Sequence, residues 1–201
     1  RLLGQEQDLV LHGGGNTSLK LDELDATGNA SPSLFVKGSG WDLETIETAG
    51  FSSLQLDALL DLARLEKLAD SDMVQRQREA MLNIGDPNPS VEAVIHAIIP
   101  FRYVDHTHAD AVLAIMNTEN GKELIKEIYG DRILIIPYVM PGFKLARMVY
   151  EQTRNIDWNR YKGMMLMHHG VFTFSNDAHD SYSRMIEFAA RAEAYLQDSG
   201  A

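Results

Sequence analysis

The 201-residue sequence contains no cysteine, which excludes disulfide bonds and thiolate metal ligands. Any metal ion must therefore be held by histidine and carboxylate side chains. The sequence also lacks an apolar run close to the roughly 20 residues of a membrane span, and it lacks a charged-then-apolar leader. From these absences we expect a cytoplasmic protein with no membrane partner.

Positive charge is scarce. Lysine and arginine total 18, whereas aspartate and glutamate total 29, which gives a formal net charge of −11. No basic stripe matches a phosphate backbone, so we expect no nucleic-acid partner. A phosphorylated ligand would have to be attracted locally, by backbone N–H groups, a few cations or a metal ion.

Several motifs of catalysis are also missing from the sequence. Neither the Walker motif nor the dinucleotide-binding fingerprint occurs, so nucleotide binding has no support. No serine stands in a nucleophile-elbow sequence, so no serine–histidine–acid triad can be nominated. The chemistry must be sought among the histidines and carboxylates.

Predicted strands and helices alternate along the chain, on the basis of apolar runs and of apolar residues at helical spacing. The predicted strands cover residues 8–11, 33–37, 103–105, 133–136, 164–167 and 171–174. The predicted helices cover residues 54–67, 91–99, 109–116, 121–129, 143–151 and 177–196. This order predicts an α/β protein with a layered α/β/α domain over residues 1–201. Because the first residue is Arg1 rather than Met, we expect a piece of a longer protein.

His106 and His108 are the most informative residues of the sequence. Two histidines two residues apart on an extended segment point to the same face, so both can bind one metal ion. His169 follows a distant apolar run and precedes a glycine. Two neighbouring ligands and one distant ligand are the usual layout of a catalytic zinc-type site. The adjacent His168 should face the other way if this segment is a strand.

Glu92 stands at the start of a predicted helix, shortly before the histidine pair. Beside a divalent cation, its carboxylate can be a ligand, a general base, or both in turn. It can equally be an ordinary acidic residue that stabilises the first turn of a helix. His96, four residues later on the same helical face, is interpreted as a buried, hydrogen-bonded histidine or as a group that supports the site.

Three stretches are rich in small residues with free backbone N–H groups: residues 13–18, residues 38–40 and Ser90. Glycine permits close approach of a ligand, and successive N–H groups form concavities that bind anions. Lys37 adds a cation beside the second stretch. Each stretch can also be a simple turn.

Five short motifs, in order, resemble the class II aldolase/adducin family. They are Gly-Asn-Thr-Ser (15–18), Lys-Gly-Ser-Gly (37–40), Pro-Ser-Val-Glu (89–92), His-Thr-His (106–108) and His-His-Gly (168–170). This family contains the fuculose- and rhamnulose-phosphate aldolases and ribulose-phosphate 4-epimerase. The chain is most similar to the aldolase portion of bacterial proteins that fuse a rhamnulose-phosphate aldolase-like domain to a short-chain dehydrogenase.

The resemblance implies a mixed, largely antiparallel sheet between helical layers. It also implies a homo-oligomer, which in this family is commonly a tetramer. It implies that a divalent metal ion, Zn²⁺ or else Mn²⁺ or Co²⁺, is bound by His106, His108, His169 and Glu92. It further implies that Glu92 transfers a proton. The positions that correspond to the phosphate site of the family are Gly15, Asn16, Ser39, Gly40 and Ser90.

The leading hypothesis is reversible cleavage of a ketose 1-phosphate, such as rhamnulose or fuculose 1-phosphate, into dihydroxyacetone phosphate and an aldehyde. A pentulose-phosphate 4-epimerase would use the same site. A sugar-acid or ketone-phosphate lyase on that site is a further alternative, since the aldehyde pocket lies in loops that the sequence does not assign. A non-catalytic, adducin-like binding module is the alternative from another class, and it would need none of the four predicted ligands.

Overall fold

The computed structural model of the protein describes residues 1–24, 28 and 30–200. Within them, seven strands form one sheet: β1 (Asn16–Leu24), β2 (Ala30–Lys37), β3 (Phe51–Gln55), β4 (Tyr103–Thr107), β5 (Ile133–Ile136), β6 (Gly163–Leu166) and β7 (Gly170–Ser175). The helices are α1 (Leu2–Gln5), α2 (Leu56–Arg64), α3 (Asp70–Glu79), α4 (Ala93–Ile98), α5 (Asp110–Met116), α6 (Gly121–Tyr129), α7 (Phe143–Thr153) and α8 (Ala178–Asp198). Short 3-10 helices cover Thr48–Gly50, Gly130–Arg132 and Trp158–Arg160.

The strands lie in the order β3-β2-β1-β4-β7-β6-β5. Every neighbouring pair is antiparallel except β5 and β6, which are parallel and are connected through α7. Parallel neighbours require such a crossover, whereas antiparallel neighbours can be joined by a turn. The prediction of a mixed, largely antiparallel sheet is therefore confirmed.

Strand β6 is buried on both faces of the sheet. Met164 and Leu166 belong to one apolar cluster, which contains buried residues of α2, α4 and α7. Met165, between them, belongs to a second cluster, which contains buried residues of α5 and α8. Successive strand residues point to opposite faces, and a strand covered on both sides reads as a continuous apolar run. The predicted three-layer α/β/α sandwich is confirmed.

The prediction of a strand at residues 8–11 is wrong. Leu9 and Val10 are buried, but they lie in a turn, and the strand β1 begins beyond the glycines at Asn16. The carbonyl of Leu9 accepts a hydrogen bond from the His108 backbone N–H at 3.1 Å. This segment therefore packs against the start of the α5 region instead of joining the sheet.

Two further differences concern the helices after β2. The predicted helix at residues 54–67 is shorter, because Leu54 belongs to β3 and α2 ends at Arg64. The sequence prediction missed α3, whose buried side chains are only Met73 and Gln77. A helix with so few apolar residues gives a weak periodic signal. Its first residue, Asp70, accepts a hydrogen bond from the Phe143 backbone N–H at 2.7 Å and so connects α3 to α7.

Candidate metal centre

Three imidazoles from two distant parts of the chain meet at the ends of β4 and β6. The ligand nitrogens of His106, His108 and His169 all lie within 4.8 Å of one another. His106 Nε2 lies 3.1 Å from His108 Nε2. These separations are compatible with one cation bound at about 2.0–2.1 Å from each nitrogen. The structure thus brings the three predicted histidines together, and their role as metal ligands stays a prediction.

The position of His106 follows from its place in the middle of the sheet. Strand β4 lies between β1 and β7, and His106 is opposite Asn16 on one side and Phe172 on the other. The imidazole stacks on the Phe172 ring, with 4.1 Å between the ring centroids, and it is completely buried. The side chain is therefore held rigidly before any ligand arrives.

A tight turn between β6 and β7 directs His169 to the site and His168 away from it. His168 has a φ of 58°, in the left-handed region that is uncommon for residues other than glycine. Its Nδ1 lies 2.9 Å from Asn117 Oδ1, outside the histidine cluster. The sequence prediction that only one of the two would face the site agrees with this geometry, but the reason is a turn and not strand alternation.

Gly170 allows β7 to approach the histidines closely. A Cβ atom at this position would lie 2.5 Å from the Thr107 carbonyl oxygen and 2.7 Å from His106 Cε1. It would also lie 2.9 Å from His108 Cδ2. Real Cβ atoms do not make such contacts, so glycine is required here for the histidines to converge.

The hydrogen bond of His106 exposes the correct nitrogen for metal binding. Its Nδ1 lies 3.0 Å from the Val171 carbonyl oxygen, and a carbonyl can only accept, so Nδ1 carries the proton. The lone pair is then on Nε2, which faces His108. Burial lowers the pKa of His106 to about 4, and burial together with the charge of His169 also lowers the pKa of His108. Both rings are therefore neutral at physiological pH, which is the form that binds a metal.

Glu92 places a carboxylate against this cluster from the start of α4. Its Oε2 lies 3.5 Å from His106 Nε2, and its Oε1 lies 3.1 Å from His169 Nε2. The Asn16 side-chain amide donates to Oε2 at 2.7 Å. Burial by itself raises the pKa of Glu92. His106, His169 and the Asn16 hydrogen bond together lower it by more, so the pKa lies well below the usual range. The carboxylate is therefore ionised at neutral pH.

One buried oxygen at the site fits a bound cation. Glu92 Oε1 makes no hydrogen bond of good geometry among the described residues, and its nearest polar neighbour is His169 Nε2 at 3.1 Å. A buried oxygen of a carboxylate without a donor is costly unless a positive charge lies beside it. Nitrogen and oxygen donors without sulfur suit Zn²⁺, Mn²⁺ or Co²⁺. The residues present therefore fit a divalent metal ion.

The three small-residue stretches of the sequence also meet beside this cluster. The Cβ position of Gly13 lies 3.8 Å from the Gly40 carbonyl oxygen. Gly38 forms a β-bridge with Pro89, and the Ser90 backbone N–H donates to the Lys37 carbonyl at 3.1 Å. Residues that are far apart in the sequence thus form one wall next to the histidines.

The predicted phosphate-site residues differ in how free their polar groups are. Ser39 and Gly40 are exposed, although the Ser39 backbone N–H already donates to Asn88 at 2.7 Å. Gly15 is buried and has a φ of 60°. The amide nitrogen of Asn16 donates to both Glu92 and the Ser90 hydroxyl, at 2.7 and 3.2 Å. Both amide hydrogens of Asn16 are therefore engaged within the protein, and the assignment of these five residues to a phosphate site stays a prediction.

Two buried polar side chains near the site stand out beyond the predicted set. Lys37 is 3 % exposed, and its Nζ donates to the Gly13 carbonyl at 2.9 Å. His96 is completely buried, and it contacts the side chains of Asn16 and Ser18. The four-residue spacing from Glu92 indicated that His96 shares a helical face with the carboxylate, but its partners on β1 were not evident from the sequence.

None of the helices in the described part of the chain is both long enough and apolar enough to span a membrane.

Comparisons with known proteins give one consistent result. A family model described as the class II aldolase and adducin N-terminal domain matches residues 1–196. An uncharacterized oxidoreductase of Bacillus subtilis, YuxG, is 37% identical over 198 residues. That match covers 98% of this chain but only 28% of YuxG, so the chain spans little more than a quarter of this curated relative.

Solved structures agree. The N-terminal class II aldolase domain of a conserved protein from Thermoplasma acidophilum is 40% identical, with a TM-score of 0.88, and the match covers 98% of this chain and 89% of that one. A sugar-phosphate aldolase from Thermotoga maritima is 18% identical with a TM-score of 0.68, over 95% of this chain and 88% of that one. At this lower identity the likeness concerns the fold.

Proposed function

The chain belongs to the class II aldolase and adducin family, and on that premise we propose that it is a metal-dependent aldolase. Its substrate would be a ketose 1-phosphate of the rhamnulose or fuculose type, and its products would be dihydroxyacetone phosphate and an aldehyde. The observation that carries this proposal is the ionised, largely buried Glu92 within 3.5 Å of both His106 and His169. A non-catalytic module has no need of this costly cluster.

We propose that His106, His108, His169 and Glu92 hold the divalent cation. When bound, the cation supplies Lewis acidity for the negative charge that develops on the ketone oxygen as the carbon–carbon bond breaks. The protein keeps His106 neutral and directs its Nε2 lone pair to the centre of the cluster through the bond from Nδ1 to Val171. The donor set of nitrogen and oxygen atoms suits Zn²⁺, Mn²⁺ and Co²⁺ alike.

Glu92 is assigned to proton transfer. During cleavage, the hydroxyl group that becomes the aldehyde loses a proton, and the carbon that it leaves behind gains one. The ionised Glu92 would first take up a proton that originates from this hydroxyl, directly or through solvent, and would then deliver it to the carbon; in the reverse reaction it would remove the same proton. Its position supports both this role and that of a ligand that the substrate displaces, because Oε1 faces the histidine cluster, 3.1 Å from His169 Nε2.

The wall of small residues beside the cluster is proposed to bind the substrate phosphate. Ser39 and Gly40 offer exposed polar groups, and the Ser90 hydroxyl and the turn at Gly15 complete the wall. Asn16 is assigned to the same wall, where its amide donates to the Ser90 hydroxyl at 3.2 Å. Such local donors are necessary since the net charge of −11 repels an anionic ligand.

The domain assignment also remains our proposal. Residues 1–201 would form one class II aldolase-like domain, in agreement with the two apolar clusters on a single sheet. The longer relative carries the name of an oxidoreductase, and the activity of any further domain is outside this assignment.

An aldehyde-release assay tests the proposed function. The purified protein is loaded with Zn²⁺, Mn²⁺ or Co²⁺ and incubated with a panel of ketose 1-phosphates and pentulose phosphates. We expect metal-dependent release of an aldehyde and dihydroxyacetone phosphate in equal amounts. An epimerised pentulose phosphate without free aldehyde would favour the epimerase. No reaction of any substrate with any of the three metal ions would favour the non-catalytic module.

A further inference from the structure

A continuous chain of buried hydrogen bonds ends at the Glu92 carboxylate. Ser18 Oγ lies 2.7 Å from His96 Nδ1, and His96 Nε2 contacts Asn16 Oδ1. The nitrogen of the same Asn16 amide lies 2.7 Å from Glu92 Oε2. Ser18, His96 and Asn16 are all less than 5 % exposed, so water does not compete for these bonds. This series of hydrogen bonds therefore links β1 and α4 to the carboxylate through buried protein groups alone.

The direction of every proton in this chain follows from its last member. The Asn16 atom that lies 2.7 Å from Glu92 Oε2 is the amide nitrogen, which can only donate. The Asn16 oxygen then faces His96 and requires a donor, which must be His96 Nε2–H. The remaining His96 nitrogen, Nδ1, must accept the hydrogen of the Ser18 hydroxyl. Only one arrangement of protons satisfies all four groups.

We infer that His96, through Asn16, is a positioning residue that fixes the orientation of the Glu92 carboxylate. This inference rests on the proposed function of Glu92. If the Asn16 amide rotated by half a turn, its oxygen would face the Glu92 oxygen, and two acceptors would repel each other. His96 prevents that rotation because its N–H stabilises only the productive orientation. Asn16 in turn holds Oε2, which leaves Oε1 directed at His169.

The surroundings of His96 keep it in the required form. Burial lowers its pKa to about 3, so the ring is neutral and has one N–H and one lone pair. Its edge packs against the Phe172 ring, with 5.4 Å between centroids, and the same ring stacks on His106. His96 is therefore fixed in place, and a fixed donor orients its acceptor better than a mobile one.

The tautomer of His96 provides a first test, which does not depend on activity. Two-bond ¹H–¹⁵N spectra of the metal-free wild-type protein should show the proton on Nε2 and a bare Nδ1. A proton on Nδ1 would leave the Asn16 oxygen without a donor from His96 and would overturn the inference.

Substitutions provide the second test. His96→Phe keeps the ring but removes the donor, and it should lower kcat and the Zn²⁺ affinity by about 10- to 100-fold each, with KM little changed at saturating metal. His96→Gln keeps an N–H donor near the Nε2 position and should restore most of both. Thr153→Val is the control, because it removes a different buried hydrogen-bond donor, a hydroxyl at the end of α7 that donates to the Val149 carbonyl at 2.7 Å. It should change neither quantity.

A double-variant cycle shows whether His96 acts through Asn16. If it does, His96→Phe should add nothing to the effect of Asn16→Ala, whereas additive losses would overturn the inference. Wild-type affinity and kcat in a folded His96→Phe protein would overturn it as well. If His96→Phe does not fold, His96→Gln and the wild-type tautomer decide. A wild-type protein that releases no aldehyde would refute the proposed function alone, since the tautomer and the Zn²⁺ affinity are still measured.

Discussion

Glu92 Oε1 and His169 Nε2 lie 3.1 Å apart and join the layer that contains α4 to the turn between β6 and β7. Neither the helix start nor the turn is a site by itself. Their contact places a carboxylate and an imidazole side by side next to His106, whose Nε2 lies 3.5 Å from Glu92 Oε2.

The first prediction concerns the Glu92 carboxylate. Glu92→Gln should retain metal, because the three imidazoles remain, but kcat should fall by at least about 100-fold, since a carboxamide cannot carry the proton. Metal content by elemental analysis and the rate of aldehyde release check both parts. Glu187→Gln, on the outer side of α8, is the control and should behave as wild type. An unchanged rate would remove Glu92 from proton transfer.

A second prediction tests the close approach at Gly170. Gly170→Ala introduces a Cβ atom 2.5 Å from the Thr107 carbonyl, so the strands must separate and the histidines with them. We expect a loss of about 1–3 kcal/mol in the free energy of unfolding and a clear loss of bound metal. Gly85→Ala is the control, because its nearest contact is 3.3 Å to an exposed side chain. Equal metal content in the two variants would contradict this explanation.

The adjacent histidines at residues 168 and 169 should respond in opposite ways. His168→Gly removes a side chain that points at Asn117 and places glycine where φ is positive, so metal content should be unchanged and stability should change by less than about 1 kcal/mol. His169→Gly should lose the metal. Metal titration of both variants under the same conditions makes the comparison, and a matching loss in both would show that the turn as a whole, and not His169, is required.

A fourth prediction is a pH dependence of stability that arises outside the site. Lys20 Nζ donates to the Phe101 carbonyl at 3.1 Å, and burial lowers its pKa from 10.5 to about 7. Between these values the unfolded chain binds more protons than the folded one, so the free energy of unfolding increases with pH. Urea denaturation measures the free energy of unfolding at each pH. Between pH 7 and pH 9 this free energy should increase less in Lys20→Met than in the wild type, by on the order of 1–2 kcal/mol.

The control for the Lys20 prediction is Lys67→Met, which changes an exposed lysine and should keep the wild-type slope. If the stability of Lys20→Met rises with pH as steeply as that of the wild type, Lys20 is charged in the folded protein and the prediction is wrong.

Much of the fold could be predicted from local patterns. The helix at Gly121–Tyr129 and the strand at Ile133–Ile136 were predicted with their observed bounds, because each has a strong apolar pattern and clear ends. Residues 8–11 misled the prediction, since apolar residues buried in a turn look like a short strand. Helix α3 was missed because its sequence is almost entirely polar.

The candidate site was predictable only in part. Spacing indicated that His106 and His108 share a face, and the apolar run that meets a glycine after His169 marked this residue as the distant third candidate. The meeting of Glu92 with His169 depends on the order of the strands, which local patterns do not encode. The contact of His96 with Asn16 was hidden for the same reason, because β1 reaches α4 only through the assembled sheet.

The most direct test of the account is the metal stoichiometry and aldehyde-release rate of the His106→Ala protein beside the wild type. We predict that the wild type binds one divalent ion per chain and cleaves a ketose 1-phosphate only when loaded, and that His106→Ala loses both the ion and the cleavage. Full cleavage by a metal-free, folded His106→Ala protein would contradict the account.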